Sequence, residues 1–320
     1  MVALAACVAR AESTNTLALV RTISLPGVAG RLDHLATDVQ HNRLFVAALG
    51  NNSVEVLDFQ AGKRIETIED CPKPQGLLFA PKANLLYVAS GDDGRVRVYD
   101  CDSFRTIKTI GPLPDADNIR YDAPSGRIYV GFGDGSLAVL NAMSGVHTYS
   151  IKVAGHPESF QIEQTGGRIF VNVPDAHHIA VIDRLNRVVT ETWSVQKYEG
   201  NFPMALDEPN HRLFLGYRKP ARLVVLDTTR GKAVADSEIS GDVDDLFYDA
   251  KHKRLYLACG EGFVDVVEQR SADDYARVEK LATKPGARTG LFIPEQDLLC
   301  VAVPAVNRDP AEVRVFRAKP

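Results

Sequence analysis

Seven copies of one short apolar phrase recur along the 320-residue chain at a nearly constant interval. They read Leu44-Phe45-Val46-Ala47, Leu86-Tyr87-Val88-Ala89, Ile128-Tyr129-Val130-Gly131, Ile169-Phe170-Val171-Asn172, Leu213-Phe214-Leu215-Gly216, Leu255-Tyr256-Leu257-Ala258 and Leu299-Cys300-Val301-Ala302. Between the second residues of successive copies, from Phe45 to Cys300, the steps are 42, 42, 41, 44, 42 and 44 residues. A period of that size marks a repeat architecture, in which one unit cannot bury its apolar face alone and must stack against its neighbours.

Each copy is followed, after a turn rich in Gly, Asn or Asp, by a second alternating run that often ends in an acid: Val54 to Asp58, Val96 to Asp100, Leu137 to Asn141, Ile179 to Asp183, Leu223 to Asp227, Val264 to Glu268 and Val313 to Phe316. Turn pairs such as Asp93-Gly94 and Asp134-Gly135 are hairpin chemistry, because a tight turn between β-branched runs needs positive φ. A third run precedes each anchor, as in Gly76 to Ala80 and Asp245 to Asp249, and a fourth follows the acid, as in Arg64 to Ile68 and Arg105 to Ile110. Four short strands per repeat and seven repeats predict an all-β fold, a seven-bladed β-propeller of four-stranded blades. The seventh repeat runs out of chain at Phe316 before its fourth strand, whereas Leu17 to Leu25 precedes the first repeat with no blade of its own. That N-terminal segment is therefore expected to complete the last blade and close the ring.

The unbroken period leaves no linker, so residues 13–320 are expected to form one domain. No run approaches the length needed to span a bilayer as a helix. A formal charge of −4 with scattered Lys and Arg argues against nucleic acid as a partner, since phosphate binding needs clustered cations. Residues 1–12 read either as a signal-peptide remnant or as a disordered N-terminus. They carry an apolar stretch followed by Ala9-Arg10-Ala11, a small-x-small cleavage pattern that points to export to a bacterial periplasm or cell surface. Leu4-Ala5-Ala6-Cys7 also fits a lipobox, which would make Cys7 a lipid anchor. Five cysteines, an odd number, do not suggest a disulfide framework. Cys71 and Cys101 belong to loops on opposite faces of one blade, too far apart to bridge. Cys300 stands at a core anchor, and Cys259, just after its strand, is expected to be buried.

The anchors Phe45-Val-Ala-Ala48, Tyr87-Val-Ala-Ser90 and Tyr129-Val-Gly-Phe132 resemble the YVTN repeats of bacterial seven-bladed propellers of the YncE-like group, over essentially the whole chain. Longer stretches resemble one exported subset of those proteins: Arg31 to Ala36, Asp115 to Asp122, Gly155 to Phe160, Asn201 to Leu206 and Pro285 to Thr289. The resemblance implies the propeller fold and an exported protein, and it brings no settled biochemical role. Other propeller classes fit worse. The chain has a single Trp193, no repeated Gly-His and Trp-Asp pair, and no double-Gly kelch phrase.

In a propeller, ligands gather at the mouth of the central channel, ringed by the loops that lead into the innermost strands. Twelve residues before each anchor stand Asp33, Gln75, Asp117, Glu158, Phe202, Asp244 and Arg288, and the next column holds His34, Gly76, Asn118, Ser159, Pro203, Asp245 and Thr289. One position further the column turns apolar: Leu35, Leu77, Ile119, Phe160, Met204 and Leu246, with Gly290 the exception. Five carboxylates thus share one mouth, Asp33, Asp117, Glu158, Asp244 and Asp245, beside His34, with His156 just outside, Arg31 and Arg288 as cations, and Asn201 in the loop into the fifth blade. Converging carboxylates raise one another's pKa unless a cation neutralises them, so the ring either attracts a metal or an amine or is balanced internally by its arginines. Asp33, His34, Asp117, Glu158 and Asp244 are the candidate ligands for a divalent cation, although His34 and His156 fall in blades one and four, apart on the ring. The loops His177-His178 and Arg218 to Arg222 are expected on the same face.

Catalytic signatures are absent: there is no Gly-x-Ser-x-Gly elbow, P-loop, dinucleotide fingerprint or His-Glu-x-x-His. Gly131 to Gly135 lies between two strands, where a hairpin turn explains it. The sequence therefore points to a monomeric, non-enzymatic propeller that binds a small molecule or a protein partner at the channel-mouth face. The alternative is a metal-dependent lactonase or lyase with its site in the same place, by fold analogy. A structural surface-layer module would call for tandem copies, which this chain lacks.

Overall fold

Strand alternation is what turns the repeated phrase into a ring. In the computed structural model, which describes residues 15–133, 135–194 and 196–320, each repeat forms one four-stranded antiparallel sheet. Blade 1 runs from strand Leu35–Asp38 to strand Lys63–Ile68, blade 2 from Pro74–Ala80 to Thr106–Ile110, and blade 3 from Ile119–Asp122 to His147–Lys152. Blade 4 runs from Phe160–Ile162 to Val188–Trp193, blade 5 from Glu199–Asp207 to Lys232–Glu238, and blade 6 from Val243–Asp249 to Tyr275–Ala282. Blade 7 holds Thr289–Ile293, Leu298–Val303 and Ala311–Ala318, and its fourth strand is Leu17–Leu25. The reading of residues 1–12, including Cys7, and Asp134 of the predicted turn lie outside the described residues. Among the described residues no helix is long and apolar enough to cross a membrane.

Successive side chains of a strand point to opposite faces of its sheet. The anchors therefore all face the following blade: Phe45 packs between blades 1 and 2, Tyr87 between 2 and 3, Tyr129 between 3 and 4, Phe170 between 4 and 5, Phe214 between 5 and 6, and Tyr256 between 6 and 7. Cys300 holds the same place between blades 7 and 1. Their neighbours in the phrase turn the other way, as Leu44 and Val46 do toward blade 7. The core is thus seven interblade layers rather than one centre. The acids that end the third strands have a local role. Asp100 accepts backbone N–H bonds from Asp102 and Ser103, Asp183 from Leu185 and Asn186, and Asp227 from Thr229, each capping the turn to the fourth strand.

Cys71, Cys101, Cys259 and Cys300 are free and buried. Cys71 and Cys101 both reach the layer between blades 1 and 2 from their separate loops, and the Cys71 thiol lies 3.0 Å from the Tyr99 hydroxyl. Cys259 is the last residue of its strand rather than the residue after it.

Closure follows the expected pairing, with Leu17 opposite Ala318 and Leu25 opposite Ala311 and a bulge between Leu19 and Arg21. Leu17 enters the layer between blades 6 and 7, and Ile23 and Leu25 enter the layer between blades 7 and 1. Burying three such side chains stabilises the fold by about 1.5–3 kcal/mol each, a sum comparable with the roughly 5–15 kcal/mol that holds a typical domain folded. Deleting residues 1–26 is expected to lower the melting temperature by on the order of 10 °C or more and to leave an open strand edge. Deleting residues 1–12 keeps the closing strand and is expected to change it by no more than about 2 °C. Equal melting of the two truncations in calorimetry would refute the closing role.

Candidate functional site

The columns of the sequence register coincide in space. The amide of Asp33 donates to the Ala47 carbonyl at 2.7 Å, that of Asp117 to Gly131 at 2.9 Å and that of Glu158 to Asn172 at 3.0 Å, the same rung in blades 1, 3 and 4. These residues stand just before the innermost strands, so their side chains converge at one end of the channel. Gly76 occupies the column of His34 because nothing larger fits: a Cβ there would lie 2.1 Å from the Asp117 carbonyl oxygen.

Most of the ring is internally paired. Arg31 bridges Asp33 at 3.1 Å and Asp244 at 3.3 Å. Asp244 is also held by Arg218 at 2.5 Å, and Arg218 stacks 3.8 Å from the centre of the Phe202 ring. Burial raises the Asp244 pKa to about 6, with the charge of Asp33 adding to it and Arg218 and Arg31 holding it back. His34 lies 3.3 Å from Asp245 and 3.9 Å from Asp33. Burial works against its charged form, yet the charge and hydrogen bond of Asp245 together with Asp33 carry its pKa up to about 10. Paired with Asp245 and Asp33, His34 serves as a cation of the ring, which weighs against it as a metal ligand. Asp244, held between two guanidinium groups, is disfavoured in that set as well.

Several other predicted site residues serve the scaffold. Asn201 is buried and donates to Asn172 Oδ1 at 2.9 Å and to the His178 carbonyl at 3.2 Å, tying blade 5 to blade 4. Gln75 donates to the Ala116 carbonyl at 3.3 Å. The carboxylate of Asp245 accepts the Gly290 amide at 2.8 Å, and Arg288 pairs with Asp242 at 3.0 Å, outside the predicted ring. Asn118 is buried, and its carbonyl accepts the Gly131 amide at 2.9 Å.

Asp117 and Glu158 differ. Neither has an ion-pair partner among the described residues, and burial together with neighbouring carboxylates, Glu158 acting on Asp117 and Asp244 on Glu158, pushes both well above the usual carboxylate range. One oxygen of each and one ring nitrogen of His156 all lie within 4.8 Å of one another. His156, which by its sequence position stood outside the ring and far from His34, is thus brought to the unpaired acids. Its Nδ1 sits 2.9 Å from the Gly133 carbonyl oxygen and 3.7 Å from Asp115.

One cation was missed by sequence reasoning, and another was expected only in a loop of this face. Arg218 lies near the end of strand Arg212–Lys219 and reaches the mouth from there. Arg120, on the innermost strand of blade 3, donates to the Ile119 carbonyl at 2.8 Å and to Ser159 Oγ at 3.2 Å. Burial lowers its pKa while Asp245 and Asp117 support its charge. Its position immediately after Asn118-Ile119 was a legible signal, since Arg on a core strand needs an anionic partner.

A cavity of about 670 Å³ adjoins the unpaired acids, lined by Pro114, Phe132, Pro174 and Phe202 together with His156 and Glu158. A larger one of about 1000 Å³ lies at the opposite end of blades 4 and 5, along the Glu163 to Arg168 turn and Glu208. Its polar groups are already used: Glu208 accepts the amides of Gln164, Thr165 and Gly166. Burial opposes that charge, but these bonds and the Thr165 hydroxyl hold the Glu208 pKa down at about 2. The second member of the expected His177-His178 loop turns inward, its Nδ1 3.1 Å from the Ala176 carbonyl.

No protein-family model matches the sequence, and no curated protein matches it. Solved structures do. A chain of Kuenenia stuttgartiensis hydrazine synthase superposes with a TM-score of 0.76 at 16% identity, over 87% of this chain and 95% of that one. A chain of a mitotic checkpoint complex superposes with a TM-score of 0.79 at 14% identity, over 100% of this chain and 99% of its own length. Likeness at that identity shows the fold alone: an all-β propeller of seven four-stranded blades, closed by its N-terminal strand.

Proposed function

We propose that this chain is an exported propeller of the YVTN, YncE-like kind that binds a small cationic ligand at its channel mouth. One observation carries the reading: among the described residues Asp117 and Glu158 have no ion-pair partner, while Asp33, Asp244 and Asp245 each have one. A half-buried pair of uncompensated carboxylates is costly in the free protein, and a bound cation removes that cost. The repeated anchors, and the longer stretches around Asp115 and Gly155, support the YVTN assignment. Ala9-Arg10-Ala11 supports export. Expression in a bacterial host with the natural N-terminus is expected to deliver the protein outside the cytoplasm. Retention of an unprocessed chain in the cytoplasmic fraction would contradict export.

The two kinds of acid respond differently to neutralisation. Asp117→Asn relieves repulsion and is expected to hold or raise the melting temperature while weakening the stabilisation conferred by added divalent ions or small amines. Asp244→Asn breaks charge-assisted bonds to Arg31 and Arg218, each worth about 1.5–3 kcal/mol, and is expected to lower it by several degrees. Thermal melts with and without ligand distinguish them, and a large loss in Asp117→Asn with no ligand response in either protein would leave the ring a mere scaffold.

The pH dependence of the ligand-free fold follows from the same groups. Asp117, Glu158 and Asp244 have folded pKa values raised above the roughly 4 of an unfolded chain. The fold then binds more protons than the unfolded chain as pH rises through that interval, so stability falls. His34, raised to about 10, contributes stability that is complete below about 6.5 and is lost as pH climbs to its folded value. All four act with one sign. Melting temperature is expected to decline steadily from mildly acidic pH toward about pH 10, less steeply in Asp117→Asn. A flat profile would show that the mouth charges are neutralised some other way.

A further inference from the structure

The unpaired acids at the mouth have a companion that ordinary charge balance does not explain. His156 Nδ1 lies 2.9 Å from the carbonyl oxygen of Gly133. A carbonyl oxygen only accepts, so Nδ1 is the donor, and in the neutral ring the lone pair is left on Nε2. Metal-bound histidines are held in this way, one ring nitrogen donating to a carbonyl or carboxylate and the other free to ligate. Gly133 belongs to the turn of blade 3 and His156 to the loop into blade 4, so neighbouring blades fix the ring from outside the acid pair.

Distances suit one ion. Zinc bonds imidazole nitrogen and carboxylate oxygen at about 2.0–2.2 Å, so two of its ligands in a tetrahedral site stand about 3.3–3.6 Å apart. The ligand atoms of Asp117, His156 and Glu158 all lie within 4.8 Å of one another, and closing the widest such gap takes about 1.2–1.5 Å, within reach of side-chain rotation. Two carboxylates also match the charge of a divalent ion. A further buried acceptor waits nearby: Asp33 is 2% exposed, its Oδ1 has no hydrogen-bond partner, and its charge acts on both Asp117 and Glu158.

We propose that Asp117, His156 and Glu158 form a binding site for a divalent first-row transition metal, at the side of the mouth where blades 3 and 4 meet. An imidazole in the set favours zinc over calcium and magnesium, which prefer oxygen alone. Three protein ligands leave coordination positions for water or for an oxygen donor of a small molecule. The cavity that His156 and Glu158 line, of about 670 Å³ with Pro114, Phe132, Pro174 and Phe202 on its walls, has room for one. This deepens the reading of the mouth as a cation site by naming the cation and its ligands.

The test is isothermal titration of zinc, manganese and calcium ions into the full chain, freed of metal and carrying no histidine tag. One zinc per chain is expected, bound at least about tenfold tighter than calcium. His156→Ala and Glu158→Gln are each expected to weaken zinc at least about tenfold, while His41→Ala, on a turn away from the mouth, changes nothing. Thermal melts check that the variants fold, and Glu158→Gln keeps the side chain's size where His156→Ala does not. Zinc uptake that is substoichiometric, no tighter than calcium, or indifferent to both variants overturns the inference. Small amines that bind the metal-free chain while zinc does not would overturn it and leave the broader mouth reading standing. Zinc lost in His156→Ala, with no amine binding at all, would support it and identify the metal as the mouth's cation. Absence of both kinds of binding sinks the two together.

Discussion

Everything in this molecule depends on the pairing of Leu17–Leu25 with Ala311–Ala318. A stack of blades left open would expose one face of blade 1 and the unpaired edge of blade 7, and neither terminal blade could bury both of its faces. Joining the two chain ends inside one sheet turns a linear array into a ring, so each interblade layer has a partner on both sides. The closing strand is shared between two layers, with Leu17 on one and Ile23 and Leu25 on the other. Closure also creates the channel, because only a complete ring brings the loops of blades 1, 3, 4 and 6 to a common mouth.

That mouth is organised by electrostatics in a low-dielectric setting. The ring acids are buried or partly buried where the inner strands converge, so an acid either finds a cation or resists ionisation. Asp33, Asp244 and Asp245 find Arg31, Arg218 and His34. Asp117 and Glu158 find none, and they border the cavity side of the ring. The asymmetry gives the mouth a direction: blades 6 and 1 hold the compensated half, blades 3 and 4 the uncompensated half. A symmetric repeat has thus acquired one distinct place, as it must if it is to recognise anything.

The scaffold residues of the same rung show how evenly the propeller treats positions of different purpose. Asn201 and Gln75 stand at the start of the inner strands of their blades, close to the positions of Glu158 and Asp117, yet they spend their hydrogen bonds on neighbouring blades. Polar groups at the start of an inner strand are needed to satisfy backbone where blades meet. Polarity at the rung is therefore a condition of the fold, and only the pairing of each group reveals which ones are left for a ligand.

Blade number, anchor packing and closure were legible in the sequence because they rest on periodicity. Alternation sends Phe45, Tyr87 and Tyr129 to one face whatever the surroundings, and the missing fourth strand after Phe316 could be supplied only by Leu17 to Leu25. The acids of the mouth were legible too, since they share a register with the anchors. Their pairing was not. Whether His34 is a ligand or a cation of the ring turns on Asp245, 211 residues away, and whether Asp244 is free turns on Arg218 arriving from strand Arg212–Lys219, outside the register. His156, set aside by its position in the chain, joins Asp117 because adjacent blades bring their loops together. Local pattern dictates which face a side chain takes, while the charge and partners of a group at a convergence of seven loops are decided only by the tertiary structure, because Coulomb interactions depend on distance in space and burial, neither of which a repeat period encodes.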